Sequence, residues 1–345
     1  MISGSKRLDR FIRENEAKVR RMSQVFWFLR RLLVAVTTVF VVAAVNFLLL
    51  QLPEGDAVDV LASESGGASP EYVEQMKERF GLNEPLHIRL AMYLSRVAVL
   101  DFGHSFRYSA DVADLVFSRL GPTLILMSAA LILSVIIGVG LGILAGVKVN
   151  RLADTIISFA VVVGAAVPAF WLGLMLVVIF TINLGWLPSS GMETVAAFYT
   201  GYDRVTDVIY HMVLPVATLS VYYIALYARL MRASYLEQAG MDFAVTAVAK
   251  GLPNRRVVSH ITRTAILPVM TMIGIQLGAM FGGSVVIEAV FGWPGLGTLI
   301  YEAIHARELN VVMGVFLISS ILVVVANLFV DLVYSLVDPR IEVSK

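Results

Sequence analysis

The chain contains no cysteine, which excludes disulfides, thiolate zinc sites, iron–sulfur clusters and a cysteine nucleophile. Its five histidines leave little material for a metal cluster. Charge is scarce too. Asp, Glu, Lys and Arg make up 15% of the 345 residues, against about a quarter in ordinary soluble proteins. No G-x-x-x-x-G-K-[ST] phosphate loop occurs, so the chain is not expected to hydrolyse ATP. The H-E-x-x-H and G-x-S-x-G signatures are missing, which argues against metalloprotease and serine-hydrolase chemistry.

What is present is apolar: 58% hydrophobic residues and a mean hydropathy of +0.80 mark an integral membrane protein. A spanning helix needs roughly 20 apolar residues. Six stretches without Asp, Glu, Lys or Arg meet that length: Leu32–Leu52, Thr123–Val147, Ile156–Leu184, Val208–Ala228, Ala265–Ile287 and Val311–Val330. The first is too long for a signal-peptide core and ends at Gln51-Leu52-Pro53, which is no cleavage site, so it reads as a retained span. The third is overlong and holds Pro168 near its middle, which predicts tilt, a kink or burial in a bundle.

The net charge of +1 hides an alternation. Residues 1–31 carry nine basic and three acidic side chains, and residues 53–118 carry five and eleven. The 148–155 turn and the 229–264 loop are basic, whereas 185–207 and 288–310 are acidic. Basic flanks stay inside. The expected domains are a cytoplasmic segment 1–31, a first span 32–52, an outer loop 53–118, a core 119–337 with an inner loop 229–264, and a cytoplasmic tail 338–345. Ionisable groups within the spans reduce to His211, Glu288 and Asp331, each near an end and expected to snorkel to an interface. Mid-membrane carboxylates, which ion-coupled carriers usually need, are missing, so the energy for any pumping must come from elsewhere.

The loops carry further signals. Residues 1–30 mix basic and apolar side chains, as either an interfacial helix or an ordinary inner flank would. Ser69-Pro70-Glu71 predicts a helix over 71–80 in an acidic lobe that either meets an external partner or shields the bundle. In the inner loop a helix is expected over Tyr235–Lys250, stopped by Gly251 and Pro253, with Asn254 capping a second helix that runs into the fifth span. That helix–turn–helix either receives force from a cytoplasmic partner or anchors the bundle at the interface. Gly138, Gly142 and Gly146, and likewise Gly274, Gly278 and Gly282, recur every four residues. Such stripes serve close helix packing or line a surface that slides open.

The ordered set of local motifs resembles a known family. Asp242-Phe-Ala-Val-Thr-Ala-Val-Ala-Lys-Gly-Leu252, then Arg255-Arg256-Val257 and Ile266-Leu267-Pro268, is similar to the EAA loop of ABC importer permeases. Asp101-Phe102-Gly103 with Ser105, Phe291-Gly-Trp-Pro-Gly-Leu-Gly297, Asn327 to Tyr334 and Asp338-Pro339-Arg340 match as well, in the manner of the B-type subunit of dipeptide, oligopeptide and nickel importers. The likeness runs from residue 27 onward. Val245 and Thr246 stand where the general motif has Glu and Ala, and the gap from Gly251 to Ile266 is longer than the general pattern, both as in the peptide branch.

The resemblance implies an all-α type I (MetI-like) permease fold with six spans and both termini cytoplasmic, in a bacterial inner membrane. It implies a C-type permease partner, two cytoplasmic ATPases holding ATP and Mg2+, and an extracytoplasmic solute-binding protein. No cofactor is expected on this chain and no nucleic acid among its partners. The ATPase-coupling residues would be Glu237, Asp242, Thr246, Ala247, Lys250, Gly251, Leu252 and Asn254. Pro268, at the start of the fifth span, would let that segment swing without unwinding the span. Pro168, Gln276, Gly278 and Gly282 are candidates for the translocation path. A peptide is the expected cargo, with an oligosaccharide, a nickel chelate or another small solute as alternatives within the same machinery. An ion-coupled secondary transporter and a purely structural membrane protein are the rival classes.

Overall fold

Apolar stretches set where helices cross, but each helix continues into its polar flanks as long as backbone pairing lasts. The computed structural model describes residues 30–31, 33–49, 71, 74–75, 84–105 and 107–337, with side chains of the last helix through Leu328. Among them the elements are α1 (Leu33–Leu49), α2 (Leu86–Ala98), a hairpin of β1 (His104–Ser105) and β2 (Ala110–Asp111), α3 (Val112–Val147), α4 (Leu152–Ala166) and α5 (Ala169–Leu176). A π-helical segment (Val177–Asn183) follows, then α6 (Gly201–Ala239), α7 (Asp242–Ala249), α8 (Asn254–Val290), α9 (Leu296–His305) and α10 (Leu309–Val337). Among the described residues four helices are long and apolar enough to cross a bilayer: α3, α6, α8 and α10 over Leu309–Leu328. A fifth crossing results if α4 and α5 with its π segment count as one. The helix expected over 71–80 lies largely outside the described residues.

Glycine decides the main pairing. A Cβ at Gly138 would sit 2.8 Å from Tyr227 Cβ, at Gly142 2.6 Å from both Ala228 O and Met231 Cβ, and at Gly146 2.6 Å from Tyr235 Cδ1. The stripe on α3 therefore lets the α6 backbone lie directly against it, as small residues do between membrane helices. Two turns further on, the Ser220 hydroxyl donates across the same contact to Ala130 O at 3.2 Å. The fifth-span stripe differs. A Cβ at Gly278 would meet Val323 of α10 at 3.2 Å, whereas Gly282 faces open space.

The third apolar stretch is broken outright. Val167 and Pro168 are both extended, and α4 and the following segment meet at 101°. Proline lacks the N–H that a continuing helix needs and disfavours helical geometry in the residue before it. The two arms still traverse the bundle. Asp154 at the start of α4 holds Arg232 near the far end of α6, at 2.6 and 2.8 Å. Beyond the π segment, the Tyr210 hydroxyl donates to Trp186 O. Tyr210 and Arg232 are 22 residues apart on one helix, about 33 Å. The pair thus reaches both ends of α6.

Candidate functional site

The two ends of the bundle are built differently. At the basic end, the helix expected over Tyr235–Lys250 is divided. Its first part is the last turn of α6, which stops at Gly240, and its second part is the separate α7. Met241 takes the extended geometry of a helix start, and Asp242 places a negative charge at the positive end of the new helix. The far end of α7 closes in a Schellman motif. Gly251 N–H donates to Val248 O at 2.9 Å and Leu252 N–H to Ala247 O at 3.2 Å. Gly251 has φ +70, and nothing lies within 4 Å of where its Cβ would be, so backbone conformation rather than space demands glycine there.

Around this elbow Glu237, Asp242, Thr246, Lys250, Gly251 and Asn254 are exposed, while Ala247 and Leu252 are half-buried against the core. Ala244 alone on α7 is buried. The outer face is apolar, with Met241, Phe243, Val245 and Val248 all exposed. Asn254 is the first residue of α8 and makes no side-chain cap bond; Pro253 precedes it, pre-set in φ for a helix start. From there α8 is continuous through Pro268 to Val290.

At the acidic end, polar groups are buried and paired. Glu288 is 0% exposed and does not snorkel; its apolar cover comes from α3, α8 and α9. The Thr123 hydroxyl donates to its Oε1 at 2.8 Å and Gly297 N–H to its Oε2 at 2.6 Å. Thr123 Oγ1 in turn accepts Leu296 N–H at 2.8 Å, and the Trp293 indole donates to Pro122 O at 3.0 Å. That latch joins the end of α8, the turn before α9 and the upper part of α3. His211 is buried as well, its Nδ1 2.9 Å from Asp207 O.

The hairpin packs onto the same cap. Asn310 donates to His104 O at 3.1 Å, Arg107 N–H donates to Glu308, and the Tyr108 hydroxyl donates to Glu302 at 2.6 Å. Burial, then that hydrogen bond, pushes the Tyr108 phenol up to about 12, so it is a donor at neutral pH. Arg204, in the first turn of α6, grips Glu193 in the loop after the π segment at 2.7 and 3.0 Å and holds its carboxylate below the usual range. Residue order alone pointed to none of the latch partners; the available signal was one acidic residue at the edge of an apolar run, followed by a glycine-rich turn.

The path candidates lie on two parts of the chain, the break before α5 and the helix α8. Pro168 is exposed at the break, Gln276 and Gly278 are half-buried on α8, and Gly282 is exposed on that helix. Ile275 and Val286 share the exposed side of α8. Among the described residues no group of three or more His, Asp or Glu side chains is arranged to hold a metal.

Comparison with known proteins gives a consistent result. Residues 138–343 match the family described as binding-protein-dependent transport system inner membrane component, and residues 24–127 match its N-terminal region. The oligopeptide transport system permease protein AppB of Bacillus subtilis is 35% identical over 318 residues, covering 92% of this chain and 99% of that protein. The glutathione transport system permease protein GsiC of Escherichia coli K12 is 35% identical over 317 residues, covering 92% and 98%. Among solved structures, a chain of the MetNI methionine ABC transporter in inward-facing form is 17% identical, with a TM-score of 0.49 over 65% of this chain and 96% of that one.

Proposed function

The chain belongs to the binding-protein-dependent transport system inner membrane component family, and on that premise we propose that it forms half of a pore importing peptides by alternating access. It is a multi-pass permease subunit of an ABC importer in the bacterial inner membrane. Peptide cargo is supported by relatives named for oligopeptides and for glutathione, itself a peptide. A C-type permease chain completes the pore. Two cytoplasmic ATPases supply energy from ATP and Mg2+, a binding protein delivers cargo, and this chain carries no cofactor. In this reading α1 and the broken pair are the first and third of six spans. Residues 1–31, the 229–264 loop and the 338–345 tail are cytoplasmic, 53–118 lies outside, and 119–337 is the core.

The observation that carries the reading is the exposed apolar face of α7 at the basic end. An eight-residue helix with Met241, Phe243, Val245 and Val248 turned outward gains most when another protein covers it. Force applied there has a stiff route. Helix α8 runs unbroken for 37 residues, about 55 Å, from the elbow past Gln276 and Gly282 to the Glu288 latch. Displacing α7 thus tilts a rod whose other end closes the acidic cap.

The test is uptake of a labelled dipeptide into proteoliposomes containing this chain, its permease partner, the ATPases and the binding protein. Uptake is expected to need ATP and the binding protein, and uptake driven by an ion gradient alone would overturn the proposal. Gly251→Val forces a β-branched residue into left-handed backbone, at a cost of about 1–2 kcal/mol or more at that turn. It is expected to abolish the stimulation of ATPase activity by loaded binding protein while leaving the chain folded. Gly251→Asn, which tolerates that conformation, is expected to restore part of the coupling.

A further inference from the structure

We propose that the groove between α1 and α10 at the basic end binds the headgroup of an anionic phospholipid. The groove encloses about 390 Å³ and is two-toned. Arg30, Arg31 and Asn327 supply its polar end, and Val34, Val324 and Leu328 its apolar wall. A phosphodiester suits two guanidinium groups, which bind it through paired N–H donors. The apolar wall suits the first methylenes of the acyl chains, so the lining calls for an amphiphile with a negative head.

Depth agrees. Phe47 of α1 stacks on Tyr93 of α2 at 5.4 Å, toward the acidic end. Arg30 lies 17 residues back along the chain, about 25 Å if helical throughout. Asn327 is 18 residues along α10 from Leu309, about 27 Å. Both distances approach the roughly 30 Å of a hydrocarbon core, which puts the polar end of the groove at headgroup level. Basic pockets between helices at that level recognise anionic headgroups. This site goes beyond the transport reading, and only the choice of leaflet depends on orientation.

The test offers phosphatidylglycerol or phosphatidylcholine to the full-length chain purified with its partner subunits, and reads retained lipid by native mass spectrometry. Phosphatidylglycerol is expected to stay and phosphatidylcholine to be lost. Arg31 also interacts within the chain, so Arg30→Gln, on an exposed residue, is the cleaner single change. It is expected to weaken retention about fivefold, and Arg30→Gln with Arg31→Gln about thirtyfold. Lys148→Gln with Arg151→Gln removes the same charge from the same end and is expected to change nothing. Equal loss in both double variants would mean general surface attraction. Equal retention of phosphatidylcholine would mean no headgroup selection, and displacement by millimolar inorganic phosphate would mean a free-phosphate site. Any of these, or no retained lipid on the unaltered chain, overturns the proposal.

Discussion

The acidic cap and the basic elbow are both short segments joined to the long helix α8, yet one is stitched and the other hangs free. In the cap, Glu288, Thr123, Trp293 and Gly297 satisfy one another across three elements, and their surroundings exclude water. In the elbow, α7 fully buries one alanine, half-buries another, and is held by two backbone turns. Buried, fully paired polar networks define one arrangement, because an unmatched donor there has no water to turn to. A segment with few buried contacts can shift at little cost. The difference teaches where the molecule resists and where it yields.

The largest expected effect tests the stitched side. Glu288→Ala leaves the Thr123 hydroxyl and Gly297 N–H without an acceptor in a buried site, a loss of about 2–4 kcal/mol. Glu288→Gln keeps the shape and one acceptor and is expected to lose roughly half as much. Denaturant unfolding in micelles, followed by tryptophan fluorescence with Trp293 inside the cap, reads both. If Glu288→Ala proves no more costly than removing Phe243 from the exposed face of α7, the contrast between the two ends is wrong.

Two glycines with the same spacing sharpen the comparison within the helices that join those ends. Gly142→Ala pushes a Cβ to 2.6 Å from the α6 backbone at Ala228 O, so α3 and α6 must separate, at about 1–3 kcal/mol. Gly282→Ala meets nothing within 4 Å and gains up to about 1 kcal/mol of helix propensity. The same unfolding assay is expected to move in opposite directions. A Gly282→Ala chain that unfolds later but transports less would mark the exposed side of α8 as a surface that cargo or the second permease chain must approach.

Spacing alone placed Gly138, Gly142 and Gly146 on one face, and the structure packs that face on α6. It could not separate that stripe from Gly274, Gly278 and Gly282, because a neighbour's presence is not written in the period. The turn at Gly251 was legible because glycine followed by proline is local chemistry. Whether Pro168 would kink or break its helix was not, since the outcome depends on what the freed ends find to pack against. The hairpin offered no alternation to read in strands of two residues. Glu288 looked able to reach water because its partner Thr123 is 165 residues away along the chain. Local signals carry turns and spans, and the latch is a product of distant pairing.

The smallest effect concerns a third kind of contact, the exposed clamp of Arg204 on Glu193 in the loop of the acidic end. It resembles the elbow in exposure and the cap in being paired. The guanidinium holds the Glu193 carboxylate below its ordinary range. A depressed carboxylate contributes fully above its unfolded value, near 4.3, and that contribution disappears as pH falls through the lower folded value. The chain has no cysteine, so Ala197→Cys allows one spin label to be placed in this loop. Label mobility is expected to stay constant from pH 7 to about 5 and to rise only below the ordinary glutamate range. Arg204→Gln is expected to give the mobile spectrum at every pH. A label equally mobile with Arg204 intact at pH 7 would place this loop with the elbow rather than with the cap.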